Sequence, residues 1–212
     1  METVAPDALT DASLVTAVDE LAARDPCMAG IYQRHGVPPM WDRPPGFVTL
    51  VQLILEQQVS LASAGAAFER LRAEIGEPTP AAVLRLGDRE MLAVGFSRQK
   101  TGYVRDLARR VESGELDIEA LAAIDDESVR ERLVAVKGIG AWTANTYLLM
   151  ALGRPDVWPA ADIALAAAIA DTRGLAARPS TAEVESFGLA WRPWRSVAAR
   201  MLWLDYLRRR GR

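Results

Sequence analysis

Residues 133–162 read LVAVKGIGAWTANTYLLMALGRPDVWPAAD, and this stretch decides the fold. Two helical runs flank a tight turn, Val136-Lys137-Gly138-Ile139-Gly140. The second run gives way to a short loop with Pro155 and Pro159, and the loop ends on one carboxylate, Asp162, in apolar surroundings. Glycine permits backbone angles that other residues avoid, so several N–H groups can face outward where the next helix starts. Such a nest attracts a phosphate oxygen, directly or through a monovalent cation held by the carbonyls of Val136 and Ile139. Ile139 is placed to pack inward, and Lys137 to face a nucleic-acid backbone. A contact of this kind fixes register on a strand and carries no sequence information. On the glycines alone, a plain turn between helices accounts for the pattern equally well. A cap on the following helix does the same for Asp162.

Outward from this stretch the pattern is helical throughout. Phe47, Leu50, Val51, Ile54 and Leu55 lie at helical spacing, followed by Gln57-Gln58. Leu61, Ala64, Phe68 and Leu71 make a second apolar stripe that ends near Gly76. Thr79-Pro80, Ser97, Asp125 or Asp126, and Ser180-Thr181-Ala182-Glu183 all read as helix starts. Ser13 is expected to cap a helix carrying Leu14, Val18 and Leu21, which Asp25-Pro26 interrupts. The Pro- and Gly-rich segment from Gly36 to Gly46 reads as loop. A last helix from about Pro193 carries Val197, Met201, Trp203 and Leu204. No alternating strand, hairpin signal or repeat is evident. The expectation is an all-α protein of two helical lobes with a cleft between them. One lobe covers about 47–153 and ends in the hairpin at 127–153; the other combines about 13–46 with 154–212.

Composition removes many chemistries. The 212 residues, half of them hydrophobic, can bury a sizeable core. A single His, His35, and a single Cys, Cys27, exclude a Cys/His zinc site, a four-cysteine cluster and an internal disulfide. His35 reads as an ordinary surface residue. Lys100 and Lys137 are the only lysines, so positive charge is almost all arginine, which suits bidentate phosphate contacts. The net charge of −3 argues against a strongly basic nucleic-acid binder but allows a local basic face. No apolar run is long enough to span a bilayer, and the acidic start METVAPDALTDAS lacks the apolar core of a signal peptide. An intracellular, cytoplasmic location is expected.

The run L-x-x-V-K-G-I-G-x-W-T-A, with Pro159 to Asp162 after it, resembles the helix-hairpin-helix motif and the Gly/Pro-rich, aspartate-bearing loop of the DNA glycosylase superfamily. Residues 53–60 (LILEQQVS), 140–145 (GAWTAN) and 191–196 (WRPWRS) resemble its alkylated-base branch, the 3-methyladenine DNA glycosylase II type. The region before Phe47 is shorter than the extra α/β domain of the bacterial form, so the chain is similar to a compact form.

The resemblance implies a monomeric enzyme of base excision repair that needs no cofactor. It would flip an alkylated purine out of double-stranded DNA and hydrolyse its bond to deoxyribose, leaving an abasic site. Its substrate would be the nucleoid DNA of a bacterial cytoplasm, with no membrane involved. Asp162 would be the catalytic carboxylate, stabilising positive charge on the sugar and orienting the attacking water. Trp142 and Trp203 match pocket aromatics of the family. Thr146 stands where the bacterial enzyme has a tyrosine, and Trp158 is a further pocket candidate. Gln58 matches the side chain that fills the hole in the duplex. The hairpin residues Lys137, Gly138, Ile139 and Gly140 would hold the backbone, with a cation possible at Val136 and Ile139. Strand-cutting relatives carry a lysine where this chain has Trp142, so no lyase step is expected. Two alternatives stand beside this: a non-catalytic binder of damaged DNA, and a glycosylase for a deaminated or oxidised base. Ala161 replaces a second acidic residue and leaves room for the former.

Overall fold

The computed structural model describes residues 6–211. Among them there are twelve α-helices and one short 3₁₀ turn, and no strand. The chain divides into two compact units, Arg43–Tyr147 and Pro6–Asp42 with the residues from Leu148 onward.

The first unit begins with α3 (Phe47–Glu56), which buries seven of its ten residues. Each fully buried aliphatic or aromatic side chain contributes roughly 1.5–3 kcal/mol, so α3 is the unit's hydrophobic anchor. It packs on α4 (Leu61–Ile75) and α7 (Arg98–Glu112). The short α5 (Pro80–Arg85) and α6 (Asp88–Ala93) also lie against α7. A 3₁₀ turn at Glu119–Ala123 leads to the hairpin helices α8 (Asp126–Val134) and α9 (Ala141–Met150). The sequence pattern gave no sign of that turn.

The second unit holds α1 (Asp11–Arg24), α2 (Pro26–His35), α10 (Ile163–Arg173), α11 (Thr181–Leu189) and α12 (Arg195–Arg209). Helix α12 is its axis: ten consecutive residues, Ser196 to Asp205, are buried, and it meets α1, α2 and α10. Such all-round burial requires every polar group on it to find a partner. Arg200 does so on three carbonyls, those of Met40, Leu149 and Ser196. Burial pulls its pKa down to about 10, Asp42 offsetting part of the effect.

Two expectations change. Helix α1 starts one turn earlier than expected, on Thr10, with Ser13 as the reciprocal partner of a capping box. His35 is no surface residue: its side chain is 17% exposed and its Nε2 lies 2.9 Å from an oxygen of Asp205. The arginine-rich end is partly ordered, since α12 runs through Arg209. Arg209 pairs with Asp205, and Arg210 lies over the Tyr206 ring; Arg212 lies outside the described residues.

Candidate active site

In the first unit the hairpin turn is held from three sides. Ile139 is buried, 3% exposed, and its amide donates to the Val136 carbonyl at 3.1 Å. Gly138 has φ 86°, and a Cβ there would meet the Tyr103 ring at 2.1 Å, so only glycine fits. The exposed Lys137 donates its backbone N–H to Asp106 Oδ2 at 3.0 Å. Burial raises the Asp106 carboxyl, but that bond and Arg110 outweigh it and hold the group below its usual range. These contacts alter the expected nest. The amides of Lys137 and Ile139 are spent inside the protein, which leaves those of Gly138, Gly140 and the first turn of α9 as the candidate outward donors. The Val136 carbonyl keeps a second lone pair beside the bond from Ile139. With Ile139's carbonyl it suits a weakly held monovalent ion rather than a resident divalent metal. No cluster of three or more His, Cys, Asp or Glu exists among the described residues.

The residues of GAWTAN each have a place. Gly140 accepts the first helical bond, from Ala144. Thr143 is buried and accepts from Gln57, and Asn145 accepts from Arg130 at 2.8 Å, tying α9 to α8. Trp142 is half-buried. Thr146 is 3% exposed and turns its hydroxyl back onto the Trp142 carbonyl at 2.7 Å. That hydroxyl is a helix-internal donor.

The Gln-rich end of α3 forms a sharp turn. Gln58 is exposed with φ 58°, a left-handed backbone that is uncommon for a residue with a side chain. Val59 and Leu61 beside it are also exposed, at 45% and 64%.

In the second unit the loop from Pro155 to Asp162 is fastened to the start of α12. Ser196 donates its amide to the Pro155 carbonyl, and its Oγ accepts from Val157 N and donates to Val157 O. Arg195 grips both carboxylate oxygens of Asp156. The run WRPWRS thus positions the loop. Trp158 is 4% exposed, donates its indole N–H to the Val184 carbonyl and meets Trp191 edge-on at 5.1 Å. It packs as part of the core of this unit. Trp191 is also core, while Trp194 stays half-buried with its N–H on Glu20.

The loop delivers Asp162 to the N-cap of α10. Its Oδ1 accepts from the Leu165 amide at 2.7 Å and from the Trp203 indole N–H at 3.2 Å. The side chain is half-buried. The two donors hold the carboxylate in a fixed orientation at the head of α10. Trp203 exposes 9% of its surface and reaches Asp162 from the buried face of α12. Sequence reading did not single out Gln57, Tyr103, Asp106 and Arg195 as supports, because their partners lie far along the chain or on another helix.

A helical chain with a glycine hairpin, and an aspartate set by a proline loop at the head of a later helix, has the architecture of base-excision helix-hairpin-helix proteins. The chain belongs to that family, the HhH-GPD superfamily base excision DNA repair proteins, which residues 51–194 match. It is 28% identical to the Bacillus subtilis protein YfjP over 83% of this chain and 64% of that one. It is 27% identical to a DNA-3-methyladenine glycosylase of the same species over 74% of this chain and 56% of the other. It thus spans less than two thirds of the length of both. The solved structure of Schizosaccharomyces pombe 3-methyladenine DNA glycosylase (Mag1), in complex with abasic DNA, superposes with a TM-score of 0.83 at 27% identity. That likeness covers 89% of this chain and 95% of the other.

Proposed function

We propose that this protein is a monofunctional DNA glycosylase that flips an alkylated purine out of duplex DNA and hydrolyses its bond to deoxyribose. The observation that carries this is the Asp162 carboxylate, oriented by the Leu165 amide and the Trp203 indole at the end of an anchored loop. The names of its relatives agree with it.

The chemistry follows from the substrate. An N-alkylated purine carries positive charge, so when C1′–N breaks the electron pair goes to the base, which leaves neutral. Positive charge builds on the sugar, and the ionised Asp162 stabilises it. A water oxygen then bonds to C1′, giving up its proton to Asp162 or solvent, and an abasic site results. Trp142 and the exposed edge of Trp203 are the aromatic surfaces suited to an electron-poor base. Gly140, Ala141 and the positive end of α9 would meet a phosphate. A cation on the Val136 and Ile139 carbonyls would bridge to it, and Lys137 adds charge. Gln58 would fill the vacated space. With Trp142 where a Schiff-base lysine would stand, no strand cutting is expected. The protein would act as a monomer on nucleoid DNA in the cytoplasm; no described helix is long and apolar enough to cross a membrane.

The test is base release from duplexes that each carry one modified base: 3-methyladenine, 7-methylguanine, ethenoadenine, hypoxanthine or an oxidised purine. Wild type is expected to release at least one alkylated base. Asp162→Asn should bind the same duplex normally and release it about 10²–10³-fold more slowly. Equal release by both rejects the role of Asp162. Binding without release by wild type indicates a damage-binding protein, and release confined to the oxidised or deaminated bases reassigns the substrate.

A further inference from the structure

We propose that Gln57 is a positioning residue that couples the Gln58 turn to the hairpin, so that wedge and backbone clamp act as one rigid part; this rests on the DNA role proposed above. Gln57 is the C-cap of α3, immediately before the strained Gln58. Its side-chain amide leaves the turn and donates to the Gly138 carbonyl at 2.9 Å and to Thr143 Oγ1 at 3.0 Å. Both acceptors belong to the hairpin, more than 80 residues along the chain. One amide therefore fixes the distance between the wedge turn, the glycine turn and the first turn of α9.

Helix α7 reinforces the same link. Lys100, Tyr103 and Asp106 follow at intervals of three, so they form one stripe on its surface. Lys100 Nζ donates to the carbonyls of Leu55 and Gln57, closing the end of α3. Burial lowers its pKa. Tyr103 underlies Gly138, and Asp106 holds the Lys137 amide. The stripe supports the wedge turn at one end and the clamp at the other.

The arrangement matters because opening a duplex needs two forces at a set spacing. A strand must be gripped while a side chain is driven into the stack beside it. A wedge on a loose turn would recoil, since Gln58 itself is exposed. Gln57 and Lys100 remove that freedom without touching DNA. Gln58 can then keep a left-handed backbone, because the residue before it is held on both its side chain and its carbonyl.

The test is a double-mutant cycle on duplex opening. Opening is read from the rise in fluorescence of 2-aminopurine placed beside a modified purine, which needs no bond cleavage. Gln57→Met keeps the length and loses the donor, and two lost hydrogen bonds predict about a ten-fold slower rise. In a Gln58→Ala background the same change should have no further effect, because the wedge it positions is gone. An equal loss in both backgrounds, or no loss in either, overturns the proposal. If Gln57→Met does not fold, Lys100→Met takes its place in the cycle. Lys100→Arg, which keeps a donor for the carbonyls, should restore opening, and its failure to do so counts against the proposal. Wild type that opens the duplex without releasing a base rejects the hydrolase function while the cycle still decides this point. Wild type that does not open it rejects both.

Discussion

Gln58 carries backbone strain in an exposed turn. A left-handed conformation costs a residue with a Cβ about 1–2 kcal/mol, and glycine almost nothing. Gln58→Gly is therefore expected to leave stability unchanged or to raise it by at most about 1 kcal/mol, glycine's extra freedom in the unfolded chain offsetting part of the relief. If the side chain is the wedge, base release from duplex DNA should fall about ten-fold while release from single-stranded substrate barely changes. Thermal melting with the two release assays checks this, and equal losses on both substrates would count against a wedge. At Asp162 the cap and the proposed catalytic role separate by the choice of substitution. Asparagine can still accept from Leu165, whereas alanine loses the cap at a cost of about 1 kcal/mol. A change in melting temperature is expected for Asp162→Ala and not for Asp162→Asn. Single residues were legible in the sequence where their partner is local. The caps at Thr79, Ser97, Asp162 and Ser180 each bond an amide three residues on. Gln57 was not legible, because its acceptors are 81 and 86 residues away.

At the scale of elements, the helices followed from apolar spacing and their starts from cap chemistry. One signal misled. Ser13 looked like a cap and is the returning half of a capping box that starts on Thr10. Trp158 lies in the loop before α10, and α11, the second helix after it, covers its indole. A Cβ on Gly188 of α11 would sit 2.6 Å from that indole, so α11 and the loop are mutually fitted. The run WRPWRS marked a resemblance before its physical work was visible: it fastens the loop that carries Asp162. Ser196 is fully buried and bonds both backbone groups of Val157. Ser196→Ala leaves a buried amide and a carbonyl short of partners, which costs about 1–3 kcal/mol. The loop beyond should shift, and the maximal rate of base release is expected to fall while DNA affinity, assigned to the hairpin under the proposed function, stays near wild type. A loss confined to affinity would show that the loop does not need this anchor.

For the whole molecule, charge separates the two units. The second unit buries two carboxylates. Asp25 closes α1, opens α2, and accepts from Arg173 and the Trp191 indole. Asp205 takes Arg34, Arg209 and His35. Burial pushes both groups up, but their donors outweigh it: Asp25 is lowered, and Asp205 falls from the ordinary 3.8 to about 2. A carboxyl depressed on folding contributes stability above its ordinary value and loses it as pH falls through the folded one. The loss therefore runs from about pH 4 down to about pH 2, and for Asp205 amounts to about 2 kcal/mol at most. Among the described residues the first unit holds no carboxylate buried to this degree. Acid should thus loosen the second unit first. Five of the six tryptophans lie in that unit, Trp142 being the exception, so indole fluorescence follows it almost alone. Titrated from pH 5 to 2, tryptophan emission is expected to shift red before half of the helical circular dichroism is lost. Asp205→Asn should bring that shift to higher pH. Coincident transitions that Asp205→Asn does not move would mean that these two carboxylates do not set the acid limit.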